Sequence, residues 1–177
     1  MAIVAILAVA IVPVIASARQ NARISKMLQI MEALKTAAVL FYADTGQYGM
    51  LTTKDNFAVN NNLLADDGIT GWDGPYIDRK FTADDNPFGS IITLYKAYPV
   101  PFDLDSDGIQ DRGMGFPGNV IGFEVDSQEA AQKIDQIIDQ DGISGFWRSR
   151  GRCQYRLSFD IFPQRLFVFI AVYDNQP

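Results

Sequence analysis

The stretch from position 103 to position 111 has more potential for chemistry than any other part of the sequence. Four carboxylates recur within nine residues: Asp103, Asp105, Asp107 and Asp111. Gly108 permits a sharp turn at the sixth position, and the backbone carbonyl of Ile109 can add another oxygen ligand. Carboxylates packed without a counter-ion cost stability, so a cation is the natural partner of this loop. A flexible all-oxygen loop favours calcium over magnesium.

The match to an EF-hand loop is incomplete. The last position of such a loop falls on Met114, which has no side-chain oxygen. A calcium site would therefore need an acid from elsewhere in the chain, such as Glu124 or Asp126. The alternative interpretation is a solvated acidic turn without an ion.

A second acidic group stands further along the chain, at Asp135, Asp139 and Asp141, and Gly142 follows it. Here we expect exposed acids on a short helix that ends at the glycine, rather than a binding site.

Composition excludes several classes of enzyme. The chain has no histidine, which removes the commonest general base and zinc ligand. Cys153 is the only cysteine, and we expect it to be a small buried thiol. A pair of catalytic carboxylates, as in a glycosidase, would explain neither the regular Asp spacing nor the N-terminal segment. We therefore expect no enzyme. The net charge of −6 argues against nucleic acid as the main partner.

Two further groups have two interpretations each. Three aromatic residues, Trp72, Phe146 and Trp147, could form a platform for a ligand. We expect instead that Trp72 packs under its loop and that Trp147 covers a sheet edge. Three basic residues follow closely: Arg148, Arg150 and Arg152. They could contact acidic residues on a neighbouring subunit, or simply form the exposed face of a strand.

The N-terminal segment, residues 1–18, carries no charge and falls slightly short of the length that spans a bilayer. A signal peptide, a plain anchor and the first half of one long helix are the three alternatives. The last is favoured because apolar residues continue at helical spacing: Ile24, Leu28, Met31, Leu34, Ala38 and Phe41. Pro13 should bend this helix, and Asp44, Thr45 and Gly46 should end it.

The remaining chain predicts a sheet and a short helix. Strand patterns occupy residues 91–95, 120–125, 155–161 and 166–173, the last being apolar enough for a central strand. Pro163 and Gln164 suit a hairpin turn, and residues 56–73 a polar connection. Residues 127–139 predict a helix that Ser127 caps, with Ile134, Ile137 and Ile138 on its buried side.

The fold class is therefore α+β, with one long N-terminal helix, hydrophobic and then amphipathic, packed on an antiparallel sheet of about four strands. Its organisation is a hydrophobic half-helix (residues 1–18), an amphipathic half-helix (19–45) and a globular head (46–177) that contains the acidic loop at 103–111.

Three motifs in this order resemble those of one family. Residues 13–48 resemble, without a gap, the helix of type IV pilins and type II secretion pseudopilins, with Asp44, Gly46 and Tyr48 in a D-x-G-x-Y pattern. Residues 71–76, GWDGPY, are similar to a W-x-G-P-Y signature of major pseudopilins, and residues 86–89, NPFG, to their D-P-W-G. Matching Pro13 to the family proline, we expect residue 1 to lie several positions inside the mature family sequence.

The resemblance implies a structural subunit that polymerises through its N-terminal helix into a helical filament for secretion, adhesion or motility. It also implies calcium in a loop near the acidic stretch. Expected partners are further copies of the chain and the inner-membrane assembly machinery. The protein would rest in the inner membrane before assembly, and then in a periplasmic or extracellular filament at the cell surface. A membrane-anchored, calcium-dependent binding module that does not polymerise is the alternative.

Overall fold

The computed structural model describes the backbone of residues 2–53, 61–89, 91–105, 107, 109–139, 151–158 and 165–172. It describes the side chains of the same residues except 2–13, 155–158 and 165. Within these residues the elements are α1 (Ala2–Thr45), β1 (Leu51–Thr52), a 3-10 turn (Ala83–Asp85), β2 (Ile92–Ala97), β3 (Pro117–Val125), α2 (Gln128–Asp139), β4 (Cys153–Ser158) and β5 (Arg165–Ala171).

Helix α1 ends where the sequence predicts. No glycine interrupts it, and Gly46 takes a positive φ of 66° directly after its last residue. The Gly46 N–H donates to the carbonyl oxygen of Tyr42 at 2.8 Å and so satisfies one carbonyl of the last turn. The helix continues through Pro13; the bend expected there stays a prediction.

One stripe of α1 is buried against the sheet, as its periodicity predicts. Met27, Leu34 and Phe41 are fully buried in the main core, and Ile24, Met31 and Ala38 are also buried there. Leu28 is half-buried at the edge of the same core. Among the side chains that the structure describes, this stripe begins at Ile24, and residues 14–19 are exposed.

The five strands are antiparallel in the order β1-β2-β3-β5-β4, and both faces of the sheet are covered. Alternate residues of β5 point to opposite sides. Val168 and Ile170 join the main core with α1 and α2, whereas Phe167 and Phe169 join a second cluster on the other face. Strand β5 lies between β3 and β4, so the prediction of an interior strand is confirmed.

Three expectations need correction or lie outside the described residues. The sheet has five strands rather than about four. The additional strand, β1, has only two residues, which is too short to leave a period-2 pattern in the sequence. Ile137, expected on the buried side of α2, is 48% exposed, because the buried stripe runs through Ala130, Ala131, Ile134 and Asp135 instead. The expected turn at Pro163 and Gln164 lies outside the described residues.

Polar contacts hold α1 to the two ends of β3. At the start of β3, the Asn119 Nδ2 donates to the carbonyl of Gly49, just after α1, at 2.7 Å. At the other end, the Arg23 guanidinium pairs with Asp126, directly after β3, and stacks over the Phe88 ring at 4.3 Å. Because β3 runs antiparallel to α1, these contacts fix the position of the helix along the strand.

Replacing Leu34 with Ala tests the packing of α1. Leu34 is fully buried, so the substitution leaves a cavity and should lower the free energy of unfolding by about 2–5 kcal/mol. Val39 lies on the exposed face of the same helix, and Val39→Ala should change it by less than about 1 kcal/mol. Denaturant unfolding of the full chain measures both; equal effects would contradict the packing.

Candidate functional site

The acidic loop is closed at its base by a pair of short backbone hydrogen bonds. The Phe102 N–H donates to the Arg112 carbonyl at 2.8 Å, and the Asp111 N–H donates to the Phe102 carbonyl at 2.9 Å. The Phe102 side chain is fully buried in the second cluster, on the sheet face opposite α1. The loop therefore starts from a residue that the sheet holds in place.

Three of the predicted ligands converge. Carboxylate oxygens of Asp103, Asp105 and Asp111 lie within 4.8 Å of one another. Oxygens bound to one calcium ion at 2.3–2.6 Å can be at most about 5 Å apart, so this spacing is compatible with a single ion. Asp103 is only 5% exposed, whereas Asp105 and Asp111 are open to solvent. The donor set fits a hard cation and is not specific to calcium.

The structure does not bring Asp107 into this cluster. Its Oδ1 accepts a hydrogen bond from the Ile109 N–H at 2.7 Å, and its own N–H donates to Asp105 at 3.1 Å. Asp107 therefore shapes the turn, and the Ile109 side chain is 70% exposed. Gly108, whose turn the sequence invoked, lies outside the described residues.

The acids proposed to complete the shell lie elsewhere. Asp126 pairs with Arg23 at the far end of β3. Glu124 is buried, and its side chain would collide with any Cβ added at Gly89. Among the described acids, the converging group is limited to the three loop aspartates.

Exposed apolar side chains accompany the loop. Ile109 and Met114 are 70% and 75% exposed, and Phe116 is about half exposed. The Arg112 guanidinium lies 4.9 Å from the centre of the Phe116 ring. Burial raises the pKa of Tyr48, just past the end of α1, and the positive charge of Arg112 partly offsets this rise. The loop therefore borders the C-terminal end of α1.

The D-x-G-x-Y and GWDGPY motifs interlock at that same end. The Tyr76 hydroxyl donates to the Asp44 carboxylate at 2.9 Å and accepts a bond from the Asp73 N–H at 2.9 Å. Burial, with Asp44 adding to it, raises the pKa of Tyr76. Trp72 packs against the main core and donates from Nε1 to the Asn62 carbonyl at 2.8 Å. The expectation that Trp72 packs under its loop is confirmed.

The NPFG motif links α1 to the sheet. Buried Asn86 donates from Nδ2 to the carbonyls of Ile91 and Glu124, both at 2.9 Å, and accepts from the Phe88 N–H. The carbonyl of Pro87 accepts a hydrogen bond from Arg23. These contacts give the motif a connecting role.

A charge pair stiffens the segment between the two motifs. Arg79 contacts both carboxylate oxygens of Asp85, at 2.9 and 2.6 Å. This guanidinium, helped by the Thr82 N–H and hydroxyl, holds the pKa of Asp85 well below its usual range.

The second acidic group differs from the expectation of exposed acids. Asp135 is only 3% exposed, and the Asp139 side chain is 6% exposed. Asp139 accepts hydrogen bonds from the N–H groups of Arg152 and Cys153, both at 3.0 Å, and so joins α2 to the start of β4. Helical spacing alone did not reveal this, because the donors are backbone groups. Asp141 and Gly142 lie outside the described residues.

Of the remaining basic, aromatic and cysteine candidates, two lie within the described residues. Arg152 donates to the Ile138 carbonyl at 3.2 Å, and Cys153 is buried as expected. The other expected aromatic and basic residues lie outside the described residues: Phe146, Trp147, Arg148 and Arg150.

A cleft of about 330 Å³ opens between α1, α2 and the sheet. Its walls are mostly aliphatic, and three charged side chains also line it: Glu32, Lys35 and Arg152. Its volume is at the lower end of the range for small-molecule sites.

No family model, curated protein or solved structure matches this chain. Among the helices whose side chains the structure describes, none is long and apolar enough to cross a bilayer.

Gly71→Ala tests the interlocked motifs. Gly71 has a φ of +87°, and a Cβ there would collide with the Asp44 carbonyl oxygen. Strain and collision together should cost about 2 kcal/mol or more in free energy of unfolding. Gly113→Ala is the matched control, because a Cβ there meets open space. Equal stabilities by denaturant unfolding would show that the motifs are not held together as described.

Cation binding predicts a shift in thermal stability. A ligand at about one hundred times its Kd stabilises by about 2.7 kcal/mol, which should raise the Tm of this chain by roughly 5–10 °C. Calcium should therefore raise the Tm of the wild type, and chelator should reverse the gain. Asp105→Asn should abolish most of it, whereas Asp67→Asn, an exposed acid outside the cluster, should not. An unchanged Tm in calcium would contradict the assignment of a calcium site to this loop.

Proposed function

We propose that this chain is a structural subunit of a helical filament, of the type IV pilin or type II secretion pseudopilin kind. The observation that carries the proposal is the division of α1. Its buried stripe begins at Ile24, while the preceding residues from Val14 to Arg19 are exposed. The sequence before Arg19 has no charged side chain. A soluble single domain gains nothing from such an extension.

The exposed part of α1 calls for an apolar partner. Val14 and Ile15 are 67% and 46% exposed, and burying an aliphatic side chain stabilises by about 1.5–3 kcal/mol. Among the described residues, the first side chains of α1 to contact the rest of the molecule are Gln20, through Lys133, and Arg23. Equivalent helices of other copies can bundle around a common axis and bury this segment. Before assembly, the inner membrane would shelter it.

The interlocked motifs also support the proposal. Asp44, Tyr76 and Trp72 belong to motifs that resemble those of the pilin superfamily, and they lie together at the end of α1. An α+β head on the second half of a long helix suits a filament with helices inside and heads outside. The assembly machinery of the inner membrane and a place at the cell surface follow from the same proposal.

A cation in the acidic loop would stiffen the head. Asp103, Asp105 and Asp111 would hold it, and the positive charge would allow the three carboxylates to stay close together. We propose calcium for this role.

A second candidate is an anchored, cation-dependent binding module. The exposed Ile109, Met114 and Phe116 beside the acidic loop favour it, because they could contact a protein or sugar ligand. When detergent is removed, such a module forms no helical polymer, whereas a filament subunit does.

Electron microscopy of the purified full chain tests the proposal. Wild-type protein should form helical filaments, and Ala8→Lys or Ile11→Lys should abolish them, because a charge in the apolar helix bundle is costly to bury. Gln29→Lys adds the same charge at an exposed position over the head and should assemble normally. Normal filaments from Ala8→Lys would overturn the assignment of the filament core. Monodisperse wild-type protein under all conditions would favour the binding module.

A further inference from the structure

The outer face of α1 carries basic side chains, unpaired within the described part of the chain, at the start of its amphipathic half. Arg19, Ala22 and Lys26 follow one another at helical spacing, and all three are exposed. Between positions 19 and 35, α1 has four basic side chains and one acidic one, in a chain whose net charge is −6. Among the described residues, neither Arg19 nor Lys26 pairs with a carboxylate. We call Arg19, Ala22 and Lys26 the basic face.

The acidic loop presents the complementary chemistry. Asp105 and Asp107 are exposed there, and Ile109 and Met114 are the most exposed large apolar side chains of the described residues. Asp107 lies outside the cluster of three carboxylates that would hold a cation. We call these four residues the acidic face.

The two faces lie at opposite ends of the molecule. The loop enters β3 at Pro117, and Asn119 ties that end of β3 to Gly49, just after α1. Arg19 and Lys26 stand on either side of Arg23 along α1, and Arg23 pairs with Asp126 at the other end of β3. Along α1, Lys26 is about 28 Å and Arg19 about 39 Å from the last helical residue. The loop is also anchored, through Phe102, to the sheet face opposite α1.

We propose that the basic face of one copy docks on the acidic face of the next copy. Opposite charges meet at Arg19 and Lys26 on one side and Asp107 on the other. Exposed Ala22, between Arg19 and Lys26, packs against Ile109 or Met114. Because the basic face lies on the α1 side of the sheet and the acidic loop is anchored on the other side, one two-fold interface cannot include both faces. Each contact leaves one face open at each end, and a heterologous contact of this kind generates an open polymer.

This inference rests on the proposed filament function and adds the surface through which heads and helices meet. It differs from the apolar helix bundle, which involves residues before Arg19. Its contacts are polar at the rim and apolar at the centre, as in other specific interfaces.

Zero-length cross-linking identifies the contact directly. A carbodiimide activates a carboxylate as an O-acylisourea. Attack by a lysine amine then forms an amide, and the carbodiimide leaves as the corresponding urea. Filaments grown from mixed ¹⁴N- and ¹⁵N-labelled full chains should give a peptide pair that joins Lys26 to Asp105 or Asp107 and contains one light and one heavy partner. Mass spectrometry detects the pair.

A charge swap tests its contribution. Lys26→Glu should raise the critical concentration for assembly roughly ten-fold, because it opposes like charges across the contact. Combining it with Asp107→Lys should restore most of the loss. Lys80→Glu makes the same change at an exposed position away from both faces and should have no effect. The Tm of each variant shows whether the head remains folded.

The outcomes separate this inference from the proposed function. Normal filaments from Lys26→Glu, together with no mixed-label pair from wild-type filaments, would overturn the contact and leave the filament function intact. Absence of any wild-type polymer would overturn both. Protection of Lys26 only on addition of vesicles with anionic lipid would assign the basic face to a membrane surface and overturn docking on a second copy.

Discussion

The structure depends first on the burial of one stripe of α1 against the sheet. Leu34 and Phe41 are fully buried there, facing Leu94 and Ile121 in the same core. Burial of one such side chain stabilises by about 1.5–3 kcal/mol, more than the roughly 0.5–1.5 kcal/mol of a typical hydrogen bond. It places the helix end, with Asp44, where the GWDGPY loop can close over it. It also leaves residues 14–19 of α1, which precede the buried stripe, exposed to solvent.

The second face of the sheet gives the acidic loop its position. Phe102 is buried among Phe167, Phe169 and Tyr98 on that face, and the acidic residues follow it directly. An apolar anchor next to a charged loop allows the carboxylates to converge without collapsing into the core. The same arrangement separates the loop from the basic face of α1, and this separation makes an open-ended association between copies possible.

Polar contacts then set the register between these layers. Asn119 and Arg23 hold the two ends of β3 to α1, and Asp139 holds α2 to the start of β4. Several of these bonds are made to backbone groups, which every residue carries. A substitution that removes such a side chain leaves buried donors or acceptors unsatisfied, and the cost exceeds the net value of the bond.

The amino-acid sequence by itself determined the periodic features: the extent of α1, its buried stripe from Ile24 to Phe41, the short helix α2 and the four longer strands. These follow from local repeats of 3.6 and 2 residues. It also placed four carboxylates within nine residues. Only the tertiary structure decided that Asp107 stays outside the cluster, that Asp135 and Asp139 are buried, and that β1 joins the sheet. The positions of Asp139 and β1 depend on backbone partners distant in sequence, which leave no periodic pattern along the chain. Asp107 is held by a local turn, whose backbone conformation the spacing of the acids does not specify.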